Sequence, residues 1–337
     1  MSKKTKLFTH TDLDGIGCAI LAYMAFGESG FTCEDVHVEY CDYNNVNEKV
    51  EAFMEDKELF ESYDAVYITD ISVNDDVANM IDILDAPSGK VKLFDHHATA
   101  LYLNKYDWCE VRVTGVDDVK TSGTELFFIH LLTNGYFDKC REYYMDSLER
   151  FVNIVRDYDT WRWKEVLGES EGLVCKKVND LFHIYGRERF IGWSLGKIRD
   201  RLGRKFPNFD FMDNFLLEQK QTEIDIYVSQ KNKQLMVVED NFGYKCGVVF
   251  AERFFSELGN RLSELHPELD YIAMVDMGFG GVSYRTVKDD IDLGGEIAHS
   301  FGGGGHRKAA GSNFDVEAVR AMVVNSVFGL GGGDLLG

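Results

Sequence analysis

Residues 7–17 read LFTHTDLDGIG, and in this stretch an apolar run leads directly into three ionisable side chains. His10, Asp12 and Asp14 occupy alternate positions, so an extended backbone points all three to one side. Carboxylates that crowd together without a counter-charge disfavour one another's ionised forms. The stretch therefore predicts the carboxyl end of a strand at which a cation binds.

The composition is typical of a globular chain with more than one domain. The 337 residues are 45% hydrophobic and 28% charged, a length that suits two domains. No apolar run reaches the length of a membrane span, and acidic residues follow the N-terminal lysines too soon for a signal peptide. The 7 cysteines are scattered and never spaced C-x-x-C, which favours reduced thiols. We therefore expect a cytoplasmic protein without a membrane partner.

The net charge of −21 limits the nucleic acids that the chain can bind. Acidic residues outnumber basic ones by 57 to 36, whereas a protein that grips long duplexes needs a basic face. Long duplex DNA or RNA is therefore an unexpected partner. A local basic pocket for a small phosphorylated ligand remains open, because net charge does not describe a single pocket.

The first half of the chain alternates strand-like and helix-like segments. KLFTH, VHVEYC, AVYITDI and VKLFDH have strand character, and amphipathic stretches follow each of them. This order predicts a doubly wound, mainly parallel sheet with helices on both faces. Ser122 and Glu125 have the spacing of a capping box, which indicates the start of a helix.

The second half predicts a connector and a smaller α/β domain. Residues 165–235 are polar and helical, after which YKCGVVFA, YIAMVDMG and GVSYRTV have strand character. We expect a bilobed α/β protein with four segments. These are a catalytic metal-binding domain at 1–164, a helical connector at 165–235, a substrate-binding domain at 236–328 and a flexible tail at 329–337.

Polar residues cluster where the predicted strands of the first domain end. They are His10, Asp12 and Asp14, then Asp70, then Asp95, His96 and His97, with a further carboxylate from Asp157 or Asp159. Ligands bind at the carboxyl ends of strands in open parallel sheets. Any one of these residues alone is more often a helix cap, but together they suit two divalent ions such as Mn²⁺. Two such ions activate a water and stabilise a phosphoryl displacement.

These motifs resemble those of the DHH phosphoesterase superfamily. The four matching motifs are HTDLDG at 10–15, Asp70 of ITD, DHH at 95–97 and VRD at 155–157. GGGGHRKAAG at 302–311 resembles the signature of the associated C-terminal domain. Within the superfamily, the chain is similar to nano-RNases and oligoribonucleases, which degrade very short RNA and are related to RecJ-type exonucleases.

The resemblance implies a role for each motif residue. His10 and Asp12 would bind one metal, Asp14, His96 and Asp157 the other, and Asp70 would bridge the two and serve catalysis. Asp95 would orient a neighbouring histidine, and His97 would face the substrate and take part in catalysis. In the fourth motif many members have Asp-Thr-Gly, whereas this chain reads D-Y-D-T-W from Asp157. We favour Asp157 because it directly follows I-V-R, with Asp159 as the rival.

The glycine run predicts a binding site for a terminal phosphate. Consecutive glycines let backbone N–H groups approach an anion, and a histidine adds a directional donor. The expected binding residues are Gly303, Gly304, Gly305 and His306, within the run that begins at Gly302. Arg285 matches the phosphate-facing arginine that the resemblance implies.

The expected activity is hydrolysis of short single-stranded oligoribonucleotides to mononucleotides, with two Mn²⁺ ions and a metal-activated water. One enzymatic alternative is a phosphodiesterase for cyclic or linear dinucleotides, and another is a phosphatase for 3′-phosphoadenosine 5′-phosphate. The non-enzymatic alternative is a nucleotide-binding sensor. The oligomeric state stays open, with a homodimer among the options.

Overall fold

The computed structural model describes residues 3–27, 35–115, 118–138 and 142–329. The chain forms two compact units, Met1–Leu217 and Glu218–Gly337. The predicted tail at 329–337 lies outside the described residues except for Gly329.

The first unit is built on a five-stranded parallel sheet with the order β2-β1-β3-β4-β5. The strands are β1 (Thr5–Thr9), β2 (Val36–Tyr40), β3 (Ala65–Thr69), β4 (Val91–Asp95) and β5 (Cys109–Val111). The predicted parallel sheet is confirmed. The short strand β5 was not predicted from the sequence.

Successive residues of the central strands enter separate hydrophobic cores. Leu7 and Tyr67 belong to one core, whereas Phe8 and Ile68 belong to the other. Because side chains alternate across a strand, the two cores lie on opposite faces of the sheet. This double burial explains why these strands are almost continuously apolar.

Helices cover both faces, as the sequence predicts. Those that contribute to the first core are α1 (Leu13–Phe26), α5 (Gly123–Thr133), α6 (Glu142–Asp159), α8 (Glu169–Tyr185) and α9 (Arg187–Ile198). Those that contribute to the second core are α2 (Val46–Glu55), α3 (Lys57–Glu61), α4 (Asp75–Asp85) and a 3₁₀ helix at Ala98–Lys105. The short helix α7 spans Arg162–Glu165.

The segment at 165–235 differs from the separate connector expected from its polar composition. Cys175 and Val178 of α8 and Phe190 of α9 are buried in the same core as α1. Their apolar stripes complete one face of the parallel sheet, so these helices belong to the first unit. The boundary between the units falls within α10 (Phe211–Asn232).

The second unit contains a six-stranded mixed sheet with the order β10-β11-β9-β8-β7-β6. The strands are β6 (Met236–Glu239), β7 (Lys245–Phe250), β8 (Tyr271–Asp276), β9 (Gly281–Arg285), β10 (Gly304–His306) and β11 (Ala309–Asn313). The helices of this unit are α11 (Phe255–Leu265), α12 (Val316–Phe328) and a π-helix at Leu293–Ala298. A second α/β domain is therefore confirmed.

Two further observations concern the chain as a whole. Among the described helices, none is both long and apolar enough to cross a membrane. Among the described residues, the five cysteines are free thiols: Cys18, Cys41, Cys109, Cys175 and Cys246.

The strand order of the first unit determines where a ligand can bind. Strands β1 and β3 are neighbours, but the chain leaves β1 toward β2 at one edge and leaves β3 toward β4 at the other. In open parallel sheets such a switch point opens a crevice at the carboxyl ends of the two strands. Thr9 and Thr69, which end these strands, lie opposite each other in register.

Candidate metal centre

The polar residues predicted at the strand ends meet at this switch point. His10 follows β1, Asp70 follows β3, and His96 follows β4. His10, Asp12 and Asp70 place ligand atoms within 4.8 Å of one another, and so do Asp14, His96 and Asp159. We call these six residues the carboxylate–imidazole cluster.

Asp70 links the two halves of the cluster. Its Oδ1 atom lies 3.3 Å from His96 Nε2, and its Oδ2 atom lies 3.9 Å from His10 Nδ1. Each oxygen of this buried carboxylate therefore faces a different group of potential ligands. A carboxylate that bridges two metal ions needs this arrangement.

The backbone at Asp70 is held in an uncommon conformation. Its φ is 56°, in the left-handed region that non-glycine residues rarely occupy. The start of α5 packs closely against it, since a Cβ on Gly123 would lie 2.5 Å from Asp70 Cβ. Strain of this kind persists where the surrounding structure imposes it, commonly at functional sites. Gly123 therefore has a role in the site that the sequence interpretation missed.

Asp14 is held in place by the N-terminus of α5. Its Oδ2 atom accepts a 2.6 Å hydrogen bond from the Gly123 N–H, and its Oδ1 atom accepts a 2.9 Å bond from the Thr124 N–H. Helix N-termini favour negative charge, so α5 stabilises the carboxylate while Oδ2 stays 3.6 Å from His96 Nε2. The helix start predicted from Ser122 thus also positions a site residue, and Ser122 Oγ accepts from the Glu125 N–H as expected.

Asp12 connects the cluster to the first helix. It is the N-cap of α1, and its Oδ1 atom accepts a 3.1 Å hydrogen bond from the Gly15 N–H. Its Oδ2 atom lies 2.8 Å from His10 Nδ1. Burial opposes ionisation, but the hydrogen bond and charge of His10, with hydrogen bonds from the Gly15 N–H and Asp70, together outweigh it and lower the pKa of Asp12. Asp12 therefore uses one oxygen to cap the helix and directs the other toward His10 at the site.

The fourth motif requires a correction, because Asp159 and not Asp157 joins the cluster. Asp159 Oδ2 lies 3.4 Å from His96 Nε2. Asp157 Oδ1 instead accepts hydrogen bonds from Arg156 Nη2 at 2.9 Å and from Arg162 Nε at 3.0 Å. Its charge is therefore already neutralised by two guanidinium groups.

The electrostatics of the cluster favour a bound cation. Burial, followed by the carboxylates of Asp14, Asp12 and Asp159, raises the pKa of Asp70 well above its usual range. Burial, followed by the carboxylates of Asp14 and Asp12, raises the pKa of Asp159. A divalent ion reverses this effect because it stabilises each carboxylate in its charged form.

Two buried polar atoms support the same conclusion. His96 Nε2 and Asp70 Oδ2 have no hydrogen-bond partner among the described residues. Buried polar atoms are nearly always paired, so unpaired ones that converge indicate a missing partner. Imidazole nitrogens together with carboxylate oxygens suit hard or borderline divalent ions, and the residues present fit such ions.

His97 belongs to a hydrogen-bonded chain beside the cluster. Its Nδ1 atom lies 2.7 Å from Asp95 Oδ1, and Asp95 Oδ2 accepts a 2.5 Å hydrogen bond from Ser72 Oγ. Burial opposes ionisation of Asp95, but the hydrogen bond and charge of His97, the Ser72 hydroxyl and the charge of His96 together outweigh it and lower the pKa of this carboxyl. Because an ionised carboxylate only accepts hydrogen bonds, Nδ1 carries the proton. Nε2, at the other side of the ring, lies 3.2 Å from the Tyr43 hydroxyl.

In the second unit, Arg285 and His306 are brought together across the sheet. Arg285 is opposite Ala309, and Ala309 is opposite His306. Directly opposite residues share one face of a sheet. The Arg285 guanidinium donates to Tyr284 O at 2.8 Å and to Ser256 Oγ at 3.2 Å. It has no ion-pair partner among the described residues, and His306 is exposed.

Contacts within the fold involve several residues of the glycine run and limit which of them can bind an anion. The Gly303 N–H already donates to Ala298 O at 2.8 Å. Gly305 has φ 142°, and a Cβ there would lie 2.6 Å from Ala310 Cα. Gly304 has open space at the equivalent position. Close packing therefore explains Gly305, whereas no packing contact explains Gly304.

A comparison of sequences relates the chain to one characterised enzyme. It is 37% identical to oligoribonuclease NrnB of Bacillus subtilis (strain 168) over 321 residues, which make up 95% of this chain and 75% of that protein. The chain belongs to the NrnB family of DHH phosphoesterases. No family model matches the chain.

Solved structures confirm the DHH fold. The chain matches the DHH domain of a protein described as a member of a family of ribosomal proteins, with a TM-score of 0.60 and 15% identity, over 97% of this chain and 86% of the other. It matches RecJ from Thermus thermophilus in complex with Mn²⁺ with a TM-score of 0.54 and 14% identity, over 97% of this chain and 51% of RecJ. At these identities the likeness concerns the fold.

The pattern of the fourth DHH motif also fits Asp159 better than Asp157. Asp159 and Thr160 match the first two positions of the Asp-Thr-Gly pattern, and Trp161 takes the place of glycine. The φ of Trp161 is 64°, a conformation that glycine adopts without cost. The Asp-Thr pair was the available signal, but the tryptophan concealed it.

Proposed function

We propose that the chain is a metal-dependent phosphodiesterase that hydrolyses short oligoribonucleotides to mononucleotides at the carboxylate–imidazole cluster. The observation that carries this proposal is the geometry of Asp70, whose two carboxylate oxygens face the two groups of ligand atoms. Kinship with oligoribonuclease NrnB supports the choice of substrate. The five free cysteines of the described residues fit a reducing compartment, and we place the activity in the cytoplasm.

The six residues of the cluster divide between two ions in this proposal. His10 and Asp12 hold one ion, Asp14, His96 and Asp159 hold the other, and Asp70 is shared. When bound, divalent ions lower the pKa of a coordinated water and neutralise charge on a phosphoryl group. We propose Mn²⁺ as the preferred ion because the donor set mixes nitrogen and oxygen. RecJ, whose fold the chain shares, was solved with this ion.

His97 is the proposed catalytic partner of the cluster. Asp95 fixes the proton on Nδ1 and the orientation of the ring, and it leaves Nε2 for another partner. The hydrogen bond to Asp95 raises the pKa of His97, and in the protonated ring Nε2 carries a proton that it can donate to an oxygen of the reacting phosphate. Asp95 acts through this histidine and does not itself contact the substrate.

In the second unit, we propose that Arg285, Gly304 and His306 bind a phosphate of the substrate. Arg285 lacks an ion-pair partner among the described residues, and His306 is exposed on β10, which is separated from the strand of Arg285 by β11. Two other predicted residues have structural roles instead. Gly305 is required by close packing, and the N–H of Gly303 is already bonded to Ala298 O. Gly304 is the glycine of the run that we retain for this role.

The proposal predicts a strong dependence on substrate length. With a net charge of −21, binding to long nucleic acids is expected to be weak and to fall further as salt rises. RNAs of about 2 to 5 nucleotides should therefore be degraded much faster than 24-mers. The measurement is a product time course on labelled RNAs of increasing length and on cyclic dinucleotides, with Mn²⁺ or chelator.

The Asp70→Ala variant is the control for this experiment. It should lose both ions and show no turnover, while wild-type protein treated with chelator should recover activity on addition of Mn²⁺. Equal rates on 24-mers and on dinucleotides would contradict the proposed length preference. Turnover of cyclic dinucleotides alone would replace the oligoribonuclease assignment with that of a cyclic-dinucleotide phosphodiesterase.

A further inference from the structure

Tyr43 lies in a rigid turn at the carboxyl end of β2. Asp42 Oδ1 accepts a 2.8 Å hydrogen bond from the Asn44 N–H, and Asp42 Oδ2 accepts a 2.8 Å bond from Asn45 Nδ2. In return, Asn45 Oδ1 accepts a 3.0 Å bond from the Asp42 N–H. Reciprocal bonds of this kind fix a turn without help from other elements. The side chain of Tyr43 is therefore presented in a defined position.

Tyr43 contacts two histidines of the metal centre. Its hydroxyl lies 3.2 Å from His97 Nε2, and its ring centroid lies 5.3 Å from that of His10. The residue is nevertheless 57% exposed. Single exposed aromatic residues are common on protein surfaces, so exposure alone has no functional meaning. Its combination with contacts to both His10 and His97 distinguishes Tyr43.

We propose that Tyr43 stacks against a nucleobase next to the scissile phosphate, an inference that rests on the proposed function. The cluster recognises only phosphate, which is the same in every nucleotide. A base needs a flat, apolar partner, and an aromatic ring stacks on any base through its face. Tyr43 contacts the cluster at one side of its ring and leaves much of its surface open.

The charge of Tyr43 is compatible with this role. A phenol has an ordinary pKa of about 10. The ring is therefore neutral at physiological pH and adds no negative charge beside the phosphate. Stacking would explain how an acidic centre accepts short RNA of varied sequence.

A second role for Tyr43 must be separated from stacking. Its hydroxyl can orient His97 through the contact with Nε2. Tyr43→Phe removes the hydroxyl and keeps the ring, whereas Tyr43→Ala removes both. If the ring matters, the phenylalanine variant stays close to wild type. If the hydroxyl matters, the two variants fail alike, and the stacking proposal is overturned.

The kinetic test compares intact and abasic substrates. Tyr43→Ala should lower kcat/KM on the RNA dinucleotide pApA about ten- to a hundredfold, with Tyr43→Phe within about threefold of wild type. The same comparison uses two analogues of pApA, each of which lacks one of the two bases. For the analogue without the stacked base, Tyr43→Ala should lower kcat/KM much less than it does for pApA. An equal loss on all three substrates overturns the proposal. Phe211→Ala, at another exposed aromatic ring, is the control and should match wild type.

A binding measurement keeps this test independent of turnover. Calorimetry with Mn²⁺-loaded protein should show weaker binding of AMP to Tyr43→Ala than to wild type, with inorganic phosphate and metal content unchanged. If wild-type protein does not hydrolyse pApA, the proposed function fails, and the AMP comparison still decides the role of Tyr43. Equal AMP affinity in the two proteins contradicts base stacking.

Discussion

At the scale of single residues, the two aspartates that end α6 have opposite environments. Asp159 faces His96, where burial and neighbouring carboxylates raise its pKa. Asp157 is buried and paired with Arg156 and Arg162, and Arg156 also donates to Glu125 of α5 at 2.7 Å. Among the described residues, Asp159 has no arginine or lysine partner, whereas Asp157 has two arginines. We therefore expect Asp159 to bind metal and Asp157 to stabilise the fold.

Substitution of the two aspartates should have different consequences. Asp159→Ala should reduce Mn²⁺ content and lower activity by at least about a hundredfold, with little change in unfolding free energy. Asp157→Ala removes the acceptor of Arg162 and leaves Arg156 with Glu125 alone, and it should cost about 1.5 to 3 kcal/mol of stability. Metal analysis, steady-state kinetics and urea unfolding of both variants provide the check. Greater metal loss in Asp157→Ala would restore the original assignment.

Most of the centre could be predicted residue by residue, because its side chains stand where apolar runs end. His10, Asp70 and His96 each follow a strand directly. Asp159 could not be placed with certainty, since two aspartates lie in the last turn of one helix and their directions depend on packing. Tyr43 gave no signal, because its importance arises from contacts with residues far away in sequence.

At the scale of elements, the hairpin of β10 and β11 shows how closely two strands can approach. The carbonyl oxygen of Gly305 also approaches the π-helix, since a Cβ on Gly294 would lie 2.2 Å from it. The sequence analysis attributed these glycines to anion binding and did not predict their close packing. Strands β5 and β6 were missed because three or four residues give too little alternation to recognise.

Two neighbouring glycines allow packing and binding to be tested separately. Gly305→Ala should destabilise the second unit by about 2 kcal/mol or more, because φ 142° and the contact with Ala310 both exclude a side chain. Gly304→Ala should leave stability within about 0.5 kcal/mol of wild type. If Gly304 contacts phosphate, this variant should raise KM for a dinucleotide. Thermal unfolding and kinetics of the pair are the measurements, and equal destabilisation by both would contradict the packing argument.

At the scale of the molecule, each of the two units has its own hydrophobic cores. The domain boundary was expected at 164 because the following helices are polar, but their buried stripes place it at Leu217. Composition shows how polar a helix is on average. It does not show whether one face is apolar enough to join a core.

Metal binding should stabilise the first unit selectively. The cluster belongs entirely to this unit, and an ion at about 100 times its dissociation constant adds about 2.7 kcal/mol to the stability of the unit. Hydrogen exchange should therefore slow after Mn²⁺ addition at the ends of β1, β3 and β4, with no change in the sheet of the second unit. Asp70→Ala should abolish the effect. Equal protection of both units would show that the ions bind elsewhere.

The cluster takes its ligands from positions 10 to 159, which has a consequence for synthesis on the ribosome. The N–H groups that hold Asp14 come from Gly123 and Thr124, more than a hundred residues downstream. A nascent chain that has emerged only through β4 therefore contains most of the ligands but lacks the helix that arranges them. We therefore expect the centre to assemble only after about half of the chain has been synthesised.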